Sequence, residues 1–260
     1  MAEPFDAIGF QIRDAASYEA LAEQAHRFGK LSKVQRSEGV LHGCCWNLGS
    51  GLEVWTMLYE SPKGTFYADC RPAFRGQRLF NLYPWEILEY EEDGEAIARG
   101  LMPDQETEIL FALQNITEID PLDFRERAIT AAVSGLAYKA RVNARAGKPL
   151  IAPMADDRKG RKPAETDYSV RGEILSWREI NNLRTEKKLV CIDVDAGKTR
   201  IEIVVNLDDL KGELKPGKWL SAEVWLQGHI LNDKERLARY EGIDHEVSQG
   251  EVWIKLRRDH

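Results

Sequence analysis

Four stretches in the C-terminal part of the chain constrain its fold more than any other feature. Residues 169–180, 188–194, 200–205 and 219–230 alternate apolar with polar side chains at period two. Successive side chains of a strand point to opposite faces, so this alternation buries one face of a sheet and solvates the other. A helix would scatter the same residues around its circumference. Between the third and fourth stretches, residues 208–211 fit a single turn, and Pro216-Gly217 marks a bend before the next strand.

Three strands, a short turn and further strands ending at 251–256 predict a small, partly open Greek-key barrel of OB type, with a split β-sandwich as the alternative. Upstream the periodicity is mixed. Residues 5–12 read as a strand, and Tyr18, Leu21, Ala22, Ala25 and Phe28 follow at helical spacing, with Ser17 as cap and Gly29 as stop. Residues 40–48 and 52–59 read as a hairpin through Gly49-Ser50-Gly51. Segments 65–71, 78–82 and 85–90 are further strands, ending in the acidic turn 91–95. Weaker strand signals lie at 97–101, 108–113 and 137–142, with a short helix around 122–132. The expected fold class is therefore α+β. A βαββ meander domain over 1–146 leads through a basic linker, 147–167, into an OB-like β-barrel domain over 168–260.

The chain has 260 residues, enough for two cores, and 43% of them are hydrophobic, which excludes global disorder. Cys44 and Cys45 are adjacent and cannot pair without strain, so the four cysteines trace no disulfide framework and a reducing compartment is expected. The first residues lack a basic and an apolar leader region, and no apolar run reaches bilayer-spanning length, so a cytoplasmic protein without a membrane partner is expected. The net charge of −7 hides an asymmetry: Lys139, Arg141, Arg145, Lys148, Arg158, Lys159, Arg161 and Lys162 face only Asp156 and Asp157 in the same stretch. The acidic remainder repels phosphate.

The candidate chemistry is sparse. His42 and Cys44 fall on one side of a strand and could offer imidazole and thiolate to zinc, with Cys70 as a third ligand, but without paired ligand spacing the expectation is no metal. Gly197-Lys198-Thr199 lacks the glycine and the helix of a phosphate-binding loop. No G-x-S-x-G elbow occurs, so no catalytic residue is named. The carboxylates around Glu86, Glu89 and Glu91–Glu95 read as a solvated turn. Strands 188–194 and 200–205 carry no aromatic side chain, which removes the stacking platform expected of a single-strand-binding barrel.

Gly172-Glu-Ile-Leu, the run from Ile203 to Trp219 and Trp225-Leu-Gln-Gly-His-Ile resemble the final module of an uncharacterised bacterial protein family, a resemblance that implies no activity. The N-terminal half resembles one module of the glyoxalase and bleomycin-resistance superfamily, with residues 5–10 as its first strand and Gly51-Leu-Glu-Val-Trp as its last. That resemblance implies a carboxylate ligand at Glu53, yet its first-strand ligand position holds Ala7, so a cofactor-free protein is expected. The resulting expectation is a noncatalytic binding or interaction protein, regulatory or immunity-type, with a protein partner, its acidic surface suiting a basic one. The alternatives are a nucleic-acid-binding OB protein gripping phosphate through Arg158, Lys159, Arg161 and Lys162, and a small-molecule-binding or enzymatic pocket anchored by His42 and Glu53.

Overall fold

The structure is a computed structural model and describes residues 3–90, 93–102, 107–119, 128–143, 145–154 and 164–231. It opens with a helical turn, α1 (Glu3–Asp6), where a strand was expected. Phe5, Ala7, Ile8 and Phe10 are buried, on both parities rather than on the single face that an alternating strand would bury. Their main chain closes local turns, with the N–H groups of Ile8 and Phe10 donating to the Phe5 carbonyl, and is held by remote side chains: Asn206 Nδ2 donates to the Asp6 carbonyl at 3.1 Å and Asn182 Nδ2 to that of Ile8 at 2.7 Å. Helix α2 (Ala15–Phe28) starts one turn before Ser17. Asp14 is its cap and accepts from the Ser17 N–H at 2.8 Å, while the Ser17 hydroxyl accepts from the Asp14 N–H at 3.1 Å, closing a capping box.

Strands β1 (Lys30–Gln35), β2 (Val40–Asn47), β3 (Leu52–Ser61) and β4 (Gly64–Phe74) form an antiparallel sheet in that order. The β2–β3 hairpin turns through Gly49, Ser50 and Gly51, all at positive φ, as their sequence required. Helix α2 covers one face of this sheet: Leu21, Ala22 and Ala25 join Val54 and Cys70 in one core, and Thr56 Oγ1 donates to the Ala22 carbonyl at 3.2 Å. The opposite face carries Leu41, Trp55, Met57, Tyr59 and Ala73 into a second core.

That second core belongs to a ten-stranded mixed sheet made of β5 (Leu79–Tyr90), β6 (Glu95–Leu101), β7 (Glu108–Leu113), β8 (Ile129–Asn143), β9 (Leu150–Pro153), β10 (Asp167–Asn181), β11 (Lys188–Asp195), β12 (Arg200–Asn206), β13 (Leu210–Lys211) and β14 (Trp219–Ile230). It closes on itself twice. One ring runs β5-β6-β7-β14-β8 and the other β10-β11-β12-β8-β14, and both use the long antiparallel pair β8–β14. The connectivity repeats: a three-strand meander, a 3-10 turn (Ile116–Glu118 or Leu207–Asp209), then a long strand, with each meander's third strand lying parallel to the other repeat's long strand.

The expected α+β arrangement is thereby corrected. Of the described residues 60% lie in strands and 12% in helices, so the protein is mostly β there, and an N-terminal meander followed by a self-contained C-terminal barrel is not what forms. After β12 the next hydrogen-bonded neighbour is β8, parallel to it from Glu202↔Ser134 to Val204↔Leu136. Parallel neighbours need a long crossover, so a strand from far upstream closes the ring, and local alternation carries no record of it. Residues 129–132, expected to be helical, are the first residues of strand β8, and the remainder of that expected helix, except Ala128, lies outside the described residues. The expected strand 251–256 lies outside them too.

Candidate functional site

The four-stranded sheet meets the double ring through the connection from β4 to β5, residues 75–78. Ladder register aligns Glu202 on β12, Ser134 on β8 and Gln227 on β14 in one row across the ring wall. Alternation sends Ile201, Ile203 and Val205 into the ring interior and Glu202 outward, against that connection. Glu202 Oε2 accepts from the main-chain N–H groups of Gln77 at 2.6 Å and Arg78 at 3.0 Å. Its Oε1 accepts from Arg178 Nη1 at 2.6 Å and from the Cys191 thiol at 3.6 Å. Arg78 in turn donates to Asp193 at 2.7 Å. A Cβ on Gly76 would sit 2.7 Å from Glu202 Oε2, so a larger residue there would make the carboxylate shift.

Burial by itself would raise the Glu202 carboxyl, but the Arg78 N–H, the Arg178 guanidinium and the Gln77 N–H outweigh it and hold the group below its ordinary range. Glu202 is thus a fixed anion whose acceptor positions are filled. Ser134 donates to the Phe74 carbonyl at 3.1 Å. Gln227 differs from both: fully buried, neither end of its amide has a partner among the described residues.

Glu53 belongs to the same junction. It ion-pairs with Arg75 at 3.1 Å and accepts from the Trp55 indole at 2.9 Å. His42 does not join it. Glu53 is registered with Asn47, five residues along β2 from His42, so the two point to opposite faces of the sheet. His42 Nε2 meets Glu60 at 2.8 Å near solvent. The pocket anchored by both residues is therefore not assembled. Cys44 shares a face with His42, as alternation requires, yet its sulfur meets His26 Nδ1 at 3.3 Å. Thr56 stands between Cys44 and Cys70 in the sheet register and keeps those thiols apart. Among the described residues no three His, Cys, Asp or Glu side chains gather as metal ligands do.

Arg71 is buried and donates to the carbonyls of Gly94, Leu113 and Gln114 at 3.0, 3.3 and 3.5 Å. Burial lowers its pKa, opposed by Asp69 and Glu95, while burial raises both of those carboxyls. Of the basic stretch, Lys139 reaches Glu223 at 3.9 Å, whereas Arg158, Lys159, Arg161 and Lys162 lie outside the described residues. Sequence reasoning missed Glu202, Arg178 and Arg71. A charge at an outward strand position ordinarily meets water, and only docking of the 75–78 connection buries Glu202.

The outer surface holds a different feature. Phe28 ends α2 with its ring 5.8 Å from that of Trp46, and Leu31 stands on the same sheet face, opposite Cys44. Phe28 is 58% exposed and Leu31 60%. Among the described residues no helix is long and apolar enough to cross a membrane.

A family model described as "Domain of unknown function, E. rectale Gene description (DUF3881)" matches residues 163–228, well under half of the chain. No curated protein matches the chain. The matched segment carries β10 to β13 and nearly all of β14, while β8, which closes their ring, lies outside it. The C-terminal part is thus similar to a domain of unknown function.

Proposed function

We propose that this chain is a noncatalytic interaction protein whose partner is another protein. The observation that carries this reading is how the buried charges are used. Glu53, Arg71 and Glu202 each meet protein groups that hold the two sheets together. A general acid or base needs a proton position open to substrate, and Glu202 has its acceptor positions filled. The exposed apolar side chains Phe28 and Leu31 beside Trp46 instead offer what a protein partner covers. Phosphate binding gains no support from Lys139, whose neighbour is Glu223.

A photo-crosslinking residue placed at position 28, in cells that produce the protein, tests the reading. The expected result is one dominant protein adduct. Turnover of a small molecule by the purified chain, abolished by Glu53→Gln with the fold intact, would overturn it.

A further inference from the structure

We infer that the free edge of β1, with the end of α2 beside it, is a docking site for an extended peptide segment of a partner protein that carries an apolar residue and an acidic one two positions apart. The inference rests on the interaction-protein reading and names the chemistry of the partner. Strand β1 pairs with β2 along one side, and among the described residues no strand pairs with its other side. An edge strand presents main-chain N–H and C=O groups that a further strand can satisfy, and this is how many domains capture extended peptides. The sequence around that edge decides which peptide. Leu31 and Lys33 point to the α2 side of the sheet and Lys30 to the other, and all three are exposed. Leu31, opposite Cys44, shares the sheet face that carries Trp46, whose ring lies 5.8 Å from that of Phe28, and the Arg27 guanidinium lies 5.4 Å from the Phe28 ring centroid.

A strand added alongside β1 would set one apolar side chain against Leu31. Its neighbour two residues on would face Lys33, where a carboxylate is favoured. The protein's net charge of −7 suggests a basic partner, but screening confines exposed charges to about 10 Å, so the local Arg27, Lys30 and Lys33 decide. Those cations also disfavour pairing of β1 with a second copy, because like charges would meet across adjacent strands.

The test is a selection of random nine-residue peptides on the immobilised full chain, followed by anisotropy titrations of the enriched sequences. Enrichment of peptides that carry an apolar residue and an acidic residue two positions apart is expected. Binding should weaken about tenfold in Leu31→Ser and in Lys33→Glu, and with rising salt. Both positions are exposed, so unchanged thermal melts will confirm that the variants fold. Enriched peptides insensitive to both substitutions would leave an interaction protein with its site elsewhere and refute the β1 site. No enrichment would count against both readings. A dimer in sedimentation velocity that Leu31→Ser dissociates would assign the edge to a second copy and also refute the peptide site.

Discussion

The guanidinium of Arg178 on β10 donates at 2.6 Å to the carboxylate of Glu202 on β12, two strands away, and the same carboxylate holds the main chain of Gln77 and Arg78. One side chain therefore joins the ring wall to the connection between the sheets. Glu202→Ala should destabilise the protein by about 2–3 kcal/mol, since it takes the acceptor from two partly buried N–H groups and from Arg178, whose side chain is 35% exposed and regains some water. Urea unfolding measures this, and a loss below about 1 kcal/mol would show that the connection is held by other contacts.

The same carboxylate makes part of the stability depend on acid. Its ordinary value is 4.5 and its folded value lies lower. Between the two, the unfolded chain takes up a proton that native Glu202 refuses, so stability falls as pH falls. The contribution is complete above about pH 4.5 and is lost as pH drops through the folded value. Asp69 and Glu95, raised by burial, act with the opposite sign, because protonation relieves their cost. The stability gap between wild type and Glu202→Gln should shrink below pH 4.5; a gap constant from neutral to strongly acidic pH would contradict this assignment.

Thiol reactivity gives a second readout of burial. Burial pushes the Cys70 thiol up to about 12, chiefly by penalising the thiolate, and likewise raises Cys44, Cys45 and Cys191. Native protein at neutral pH should react slowly with Ellman's reagent at all four positions and release the full complement in denaturant. Rapid reaction of one native thiol would place that cysteine in open surface.

His42 and Glu53 should respond very differently to mutation. The His42–Glu60 pair has Glu60 half exposed, so His42→Ala should cost about 1 kcal/mol or less. Glu53→Ala leaves Arg75 and the Trp55 indole short of a buried acceptor and should cost about 3 kcal/mol. Equal costs in thermal or urea denaturation would mean that the junction does not depend on Glu53.

Cleavage by trypsin at Arg158, Lys159, Arg161 or Lys162 should leave two fragments that elute together. Strand β8 from the first fragment pairs with β14 of the second from Trp219↔Asn143 to Ile230↔Ala131, and also with β12. Gel filtration of nicked protein in native buffer checks this, with urea required to separate the pieces. Separate elution without denaturant would mean that each fragment closes its core alone.

The sequence by itself determined the strands whose pattern is local. Trp219–Ile230 and Glu108–Leu113 are bounded as their alternation predicted, and Gly49-Ser50-Gly51 could only be a turn. It determined which side of β12 carries Glu202, because period two needs no tertiary information. It left β1 unseen, since its solvent-facing edge is mostly polar, and it made a strand of residues 5–12, whose buried side chains belong to α1 and the loop after it. Only the tertiary structure decided that β8 and β14 serve both rings, because parallel partners such as β8 and β12 are chosen by packing between segments remote in sequence. The same packing decided the fate of the polar residues. His42 and Glu53, eleven positions apart, were sent to opposite faces by the hairpin register, and Glu202 was enclosed by a connection more than a hundred residues upstream.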